Sequence, residues 1–248
     1  MSFIEVYRVN NVSIIRFRRP EKLNALNLEM WVSLRDILGR ECRGNSRAVV
    51  LTGSGRAFSA GDDIGAMYSL SSIEEALSFF KTLGEAIEIL ARCPKPVVAA
   101  VNGLAVGGGA EMLLLVDYVV ASKDAWLSFP ESKLGLIPPI LLTMGVEILG
   151  LRKARRLAMT GERITVEEAL KLGLVDEVVD GEKLLDVAIE RALKLSEETT
   201  EEALRAMKEL SYRKYLNLVN EAVKTLAELS LTGDAKERMK AFLERRRA

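Results

Sequence analysis

The chain has 248 residues, 49% of them hydrophobic, which is enough to bury a sizeable core. Its 35 Lys and Arg balance 35 Asp and Glu, so there is no basic field to gather nucleic acid or anionic lipid, and Arg245-Arg246-Arg247 is a dense cationic run near the end. It contains no His, which excludes Ser-His-Asp and Cys-His mechanisms and the commonest metal ligand, and leaves acid–base work to carboxylates, Lys, Tyr or Cys. Met1 to Val6 shows no basic segment followed by an apolar one, so no signal peptide is read there. Residues 3–9 and 12–18 alternate or run apolar around Asn10-Asn11, predicting a β-hairpin that Arg19-Pro20 stops. A helix fits Leu28 to about Cys42, and Ala48 to Thr52 is a short buried strand ending at Gly53-Ser54-Gly55. Arg56 to Met67 reads as a polar, glycine-bearing loop. Ser72-x-x-Glu75 is a capping box opening a helix to about Ala91, where Pro94 and Pro96 follow. Val97 to Val101 is another buried strand. Gly107-Gly108-Gly109 then leads into an apolar helix from Ala110 to Leu115, with strands near Tyr118–Ala121 and Trp126–Ser128. Strand, loop, helix and strand in repetition predict an α/β core.

Beyond Gly161 the pattern turns helical. Thr165-x-x-Glu168 is a second capping box, a short strand fits Val175–Val179, and Asp234-x-x-Glu237 is expected to cap the last helix. We divide the chain into an α/β core over 1–195 and a helical region over 196–248. About fifty residues of terminal helix are expected to extend from the core and bury their apolar face on another subunit. Cys42 and Cys93 have no metal spacing and read as two free thiols in a reducing cytosol. No apolar run approaches the ~20 residues of a membrane span. The expected location is cytoplasmic. No Gln and 28% charged residues also suit a hot habitat, where charge desolvation costs less.

Three segments carry the chemistry: Phe58 to Asp63, Asn102 to Glu111, and Phe129 to Pro138. Glycines entering a helix leave bare N–H groups at its positive end, where a ligand oxygen can approach. Glu111 lies in that first turn and could instead complement the helix dipole. The glycines could equally pack against a strand, and G-x-x-x-G-G-G is a poor dinucleotide motif. Asp62 and Asp63 form a weak metal pair with no His or third acid nearby in sequence. Glu131, taken alone, reads as a surface glutamate.

Taken together, the segments closely resemble the crotonase superfamily, the enoyl-CoA hydratase/isomerase family. Arg19-Pro20-x-x-x-Asn24-Ala25-Leu26, Lys95 to Gly103, Ala169 to Val179 and Met239 to Arg246 extend the resemblance over nearly the whole chain. It implies a spiral of ββα units followed by a helical C-terminal region that assembles homotrimers, or hexamers as dimers of trimers. It implies an acyl-CoA thioester substrate, coenzyme A arriving as part of it, and no metal, nicotinamide or flavin. The backbone N–H groups of Asp62 and Gly108 fall on the oxyanion-hole positions, and Glu111 and Glu131 on the two hydratase carboxylates. Lys22, Leu23, Ala25, Ala60, Asp63, Ile64, Phe242 and Arg245 fall at the coenzyme A positions. The implied reaction is reversible hydration of a 2-enoyl-CoA to a 3-hydroxyacyl-CoA. A double-bond isomerase, a hydrolase or a decarboxylase on the same scaffold is the nearest alternative, and an RNA-binding or scaffold relative the alternative of another class. One position departs from the pattern: Pro139 stands where hydratases use a backbone N–H to hold the catalytic water, and proline has none. The acyl chain is expected to be selected by residues 64–80 with Ile140, Leu141 and Phe242.

Overall fold

A computed structural model describes residues 3–245; Met1, Ser2 and the Arg246 and Arg247 of the terminal basic run lie outside them. The hairpin forms as expected: β1 (Ile4–Val9) pairs antiparallel with β2 (Val12–Phe17) across Asn10 and Asn11, both at positive φ. Parallel to β2 runs β3 (Ala48–Gly53), then β5 (Val97–Val101), β7 (Tyr118–Ser122) and β10 (Glu177–Val179), completing a six-stranded sheet. Alternate residues point to opposite faces, and both faces are covered, so these strands read as unbroken apolar runs. Val12, Ile14, Val50, Val98 and Val120 meet α8 (Leu184–Glu198) through Leu184, Ala188, Ile189 and Ala192. Ile15, Val49, Leu51, Ala99 and Val101 face the main core, with α1 (Leu28–Glu41) and α3 (Ile73–Ala91).

Sequence reading passes over the strands that build the site. The first is β4 (Ala57–Ser59), inside the expected loop, and the second is β6 (Leu104–Val106). With β8 (Trp126–Ser128) and β9 (Ile164–Thr165) they make a second sheet in the order β4-β6-β8-β9. Thus β3, β5 and β7 are each followed by a short strand in the other sheet and then by a helical segment, the expected ββα spiral. The same loop also holds α2 (Ile64–Ser69), capped by Asp63, whose carboxylate accepts from Gly65 and Ala66. Ser72 caps α3 as expected, while the Glu75 carboxylate returns to the N–H of Ser71. After β6 come the single turn α4 (Gly108–Glu111), α5 (Gly145–Leu149), α6 (Leu151–Thr160) and α7 (Val166–Leu172), the last opened by the predicted Thr165–Glu168 box.

The helical tail corrects two expectations. It folds back over the core of its own chain: α9 (Glu201–Arg213), α10 (Leu216–Ser230) and α11 (Gly233–Arg245) bury Leu204, Tyr212, Val219, Leu226 and Met239. α10 lies on α3 and α11 on α2. Lys208 of α9 is buried, with Nζ 2.6 Å from Asp117 and donating to the Lys95 carbonyl. An amphipathic helix needs an apolar partner surface, and α3 supplies one within the chain. The side chain that caps α11 is Thr232, accepting from Ala235, while Asp234 pairs with Arg238 one turn on.

The two cysteines are bonded to each other, not free. Cys42 follows α1 and Cys93 follows α3; the two helices pack together and bring residues 51 apart in sequence to a Cα separation of 5.3 Å. Both cysteines are buried. Closing a loop of that length removes unfolded-state entropy, typically worth about 2–4 kcal/mol. Cys42→Ser with Cys93→Ser should lower unfolding stability by that amount in denaturant titrations, and dithiothreitol should destabilise the wild type and leave the double variant unchanged.

Candidate active site

The early loop is built into the site as a clamp. Asn24 is buried at positive φ and its amide donates to the carbonyls of Ser54, Ala57 and Phe58. Leu23 to Leu26 then runs beside Ala60 to Asp63: Ala60 N–H donates to Leu23, Leu26 N–H to Gly61, and Asp63 N–H to Leu26. Arg19 closes the clamp, donating to the Ala25 carbonyl at 3.0 Å and to Asp63 Oδ2 at 2.6 Å. The Asp62–Asp63 pair is thereby divided. Asp63 serves Arg19 and the first turn of α2. Asp62 turns inward and accepts from Trp31 Nε1 of α1 at 2.8 Å.

The second segment abuts the first. Gly61 has φ +78°, and a Cβ there would sit 2.6 Å from the Val106 carbonyl and 2.9 Å from the Gly108 nitrogen. Gly107 has φ +56°, and its missing side chain leaves room for Glu131 Oε1, which would lie 3.1 Å from a Cβ. The N–H groups of Asp62 and Gly108 have no backbone acceptor among the described residues. Gly109 fits the other sequence reading and packs against Ser59, whose carbonyl oxygen would lie 2.5 Å from a Cβ.

Glu111 is buried, and its carboxylate reaches across to another loop: Oε1 accepts from the N–H of Ile140 at 2.6 Å and of Leu141 at 2.9 Å. Pro139 offers no N–H, and the next two amides are aimed at one oxygen of Glu111. Glu131 follows β8 in a 3-10 turn (Glu131–Leu134), and that turn is held through Lys133 and Ser128, which both donate to the Gly161 carbonyl at the end of α6. Both Glu131 carboxyl oxygens are enclosed without a hydrogen-bond partner among the described residues. It is no surface glutamate.

Asp62, Gly108, Glu111 and Glu131 line one cavity of ≈ 50 Å³, room for one or a few waters. Its apolar wall comes from Met67, Leu136, Ile137, Pro139 and, from α10, Leu226. Ile140 and Leu141 are not on that wall; their side chains go into the core and only their amides serve the site. Within residues 64–80 the cavity takes Ile64 and Met67, while Leu77 and Phe80 border a separate groove against α10. The cavity shares Ala60, Asp62, Ile64, Val106, Pro130 and Leu134 with an open trough of ≈ 800 Å³. The trough collects Lys22, Leu23, Ala25, Ala60, Asp63, Ile64 and Phe242, all singled out in the sequence. Arg245 lies outside its lining, exposed and donating to the Ala241 carbonyl; Lys240 and Tyr68 line the trough as well. Trp31 and Leu226 carry no sequence signal for a site, because one reads as a helix-core residue and the other lies in the tail.

Burial sets the protonation. It pushes Glu131 up to about 8, with Asp62 adding to the rise. Burial also raises Glu111 well above its ordinary value, reinforced by Glu131 and Asp62 and opposed by the Leu141 and Ile140 amides. Asp62 is pushed up to about 6 by burial, against the pull of Trp31 and its own N–H.

A parallel ββα spiral with bare amides, a buried acid pair and an open trough defines a class of α/β enzymes. The sequence matches the family described as Enoyl-CoA hydratase/isomerase over residues 8–248. It is 34% identical over 247 residues to the short-chain-enoyl-CoA hydratase of Clostridium acetobutylicum, covering 95% of this chain and 92% of that one. It is 35% identical over 205 residues to the 1,2-epoxyphenylacetyl-CoA isomerase of Escherichia coli, covering 81% and 78%. The crystal structure of an enoyl-CoA hydratase/isomerase from Mycobacterium paratuberculosis superposes with a TM-score of 0.88 at 32% identity, over 97% of this chain and 98% of that one. The chain belongs to the enoyl-CoA hydratase/isomerase family.

The raised acid pair gives a signed prediction. Glu131 keeps its proton in the folded state up to about pH 8 and releases it near 4.5 when unfolded. Its contribution is therefore fully present below about pH 4.5 and is lost as pH rises through 8. Glu131→Gln should stabilise the fold relative to wild type by an amount that grows between pH 5 and 8, at up to about 1.4 kcal/mol per pH unit. Urea denaturation across that range measures it; a constant difference would contradict a buried, protonated Glu131.

Proposed function

We propose that the chain reversibly hydrates a 2-enoyl-CoA thioester to a 3-hydroxyacyl-CoA. The observation that carries this reading is a pair of buried carboxyl groups, Glu111 and Glu131, facing one water-sized cavity beside the N–H groups of Asp62 and Gly108, which have no backbone acceptor among the described residues. The thioester oxygen would sit on those two N–H groups, which favour the negative charge that develops when Cα and Cβ react. The Ile140 and Leu141 amides favour charge on Glu111 while burial and Glu131 oppose it, and this reading assigns the proton shared by the pair to Glu131, the carboxyl group that receives no such amides. Glu111, with its second oxygen free of those amides, takes the proton from water attacking Cβ, and Glu131 delivers one to Cα. Coenzyme A would lie along the trough, with Lys22 and Lys240 near its phosphates.

One feature favours a second reading. Pro139 withholds an N–H from the water position, and the cavity walls are apolar, which suits a double-bond isomerase that shuttles one proton and excludes water. A panel of 2-enoyl, 3-enoyl and branched acyl-CoA thioesters, followed at the thioester ultraviolet band, separates the two. Hydration of 2-enoyl thioesters supports the first reading, and turnover of 3-enoyl thioesters alone replaces it. Glu111→Gln and Glu131→Gln should each lower hydration by about 10²–10⁴-fold while thioester binding persists. Near-full turnover in either variant would end the two-carboxylate mechanism.

The assembly we infer is a homotrimer or a pair of trimers, acting in the cytoplasm. Met207 and Leu210 of α9 and Leu218 of α10 are exposed, and together they offer apolar surface to another subunit. Leu210→Glu with Leu218→Glu should lower the mass measured by light scattering without unfolding the chain; an unchanged oligomer would move the contact elsewhere.

A further inference from the structure

The hydration scheme leaves one buried acid without a task. Asp62 supplies an amide to the proposed oxyanion site, but its side chain also points into the cavity. We propose that the Asp62 carboxyl group is itself a third donor to the thioester oxygen, a neutral acid whose Oδ2–H completes the hole begun by the N–H groups of Asp62 and Gly108. The proposal rests on the reading of those two amides given above.

The geometry favours one oxygen as the bearer of the proton. Trp31 Nε1 lies 2.8 Å from Oδ1, and an indole N–H can only donate. Oδ1 is an acceptor, the role a carbonyl oxygen fills better than a hydroxyl, so we place the proton of the neutral acid on Oδ2. That oxygen faces the glycine turn, 3.3 Å from the point a Cβ on Gly108 would occupy. Asp62 also lines both the inner cavity and the outer trough, at their junction, where a thioester threaded from one into the other must place its carbonyl.

The surroundings push Asp62 toward the neutral form, which a bound thioester completes. The titratable groups set against Asp62 are Asp63 beside it, Glu111 from α4 and Glu131 from the 3-10 turn. The nearby cation, Arg19, is taken up by Asp63. Burial already holds Asp62 at about 6, and a thioester oxygen gaining negative charge alongside would raise it further. An ionised Asp62 would repel that charge; a protonated one donates to it. Neutral carboxylic acids serve as oxyanion donors elsewhere when an apolar site keeps them protonated. No covalent step is involved, and the proton stays on Asp62 throughout.

The test uses the full-length chain with a 3-aryl-2-enoyl-CoA, whose absorption moves to longer wavelength when its carbonyl is polarised. The wild type should show that red shift on binding. Asp62→Ala should lose most of it and lower kcat by about 10²-fold, the usual weight of one oxyanion donor. Asp62→Asn should retain the shift, because its carbonyl can accept from Trp31 while its NH₂ replaces the O–H. Thermal melts of both variants check that the fold is kept. A full shift and undiminished kcat in Asp62→Ala overturn the proposal, as do equal losses in the Asn and Ala variants. A wild type with no shift and no turnover of 2-enoyl or 3-enoyl thioesters refutes the underlying reading instead.

Discussion

The site depends on holding Asp62, Glu111 and Glu131 together out of water. Three anions in so small a cavity would repel one another and lose their hydration, so the protein must either neutralise them or solvate them with its own dipoles. It does both, unequally. Glu111 receives two amides from one loop, Asp62 an indole N–H, and Glu131 no partner from another residue among those described. That inequality separates three chemically similar groups into different protonation roles, as paired acids in differing environments commonly are.

Holding the acids there requires every wall of the cavity to be rigid. The Asn24 clamp fixes the Asp62 segment against the end of β3, and the parallel pairing of β4, β6 and β8 sets the glycine turn beside Glu131. The tail then closes the remaining side. α10 packs on α3 and delivers Leu226 to the cavity, so the division at residue 195 separates chain segments more than functions. Burial of the acids is consequently a property of the whole chain, since loss of the tail would open the cavity to solvent.

Much of this was legible in the sequence, for identifiable reasons. The hairpin, α1, α3, β3, β5 and β7 are long enough to show their periodicity, whereas spacing alone leaves Glu111 open to a dipole role and Glu131 a surface residue, and only the resemblance of the three segments taken together points to a site. The short strands β4 and β6 span three residues each, too few for alternation to register. The pairing of Cys42 with Cys93, the indole of Trp31 on Asp62 and the return of α10 are contacts between distant segments, and periodicity within one segment carries no information about them. Exposure misled as well: Glu131 follows a proline in a loop, yet the packing of Gly161 against Pro130 turns that loop inward.

Pro139 shows how a departure from a pattern can be constructive. A ring that fixes φ and removes one donor also limits the directions the following peptide units can take. Here those units converge: Ile140 and Leu141 aim both N–H groups at one oxygen of Glu111, and the Thr143 hydroxyl donates to the Pro139 carbonyl, securing the turn from the other side. The donor withheld from a cavity water is thus replaced by two that act on the carboxylate. A water placed by its own backbone amide is oriented directly. A water beside a carboxylate with one oxygen occupied is oriented by the other, because that oxygen remains free to accept. The second arrangement needs a more tightly held glutamate, and the sequence places bulky Ile140 and Leu141 side chains in the core where they hold those amides in position. If the site hydrates as proposed, Pro139 would move the orienting task from the water to the base.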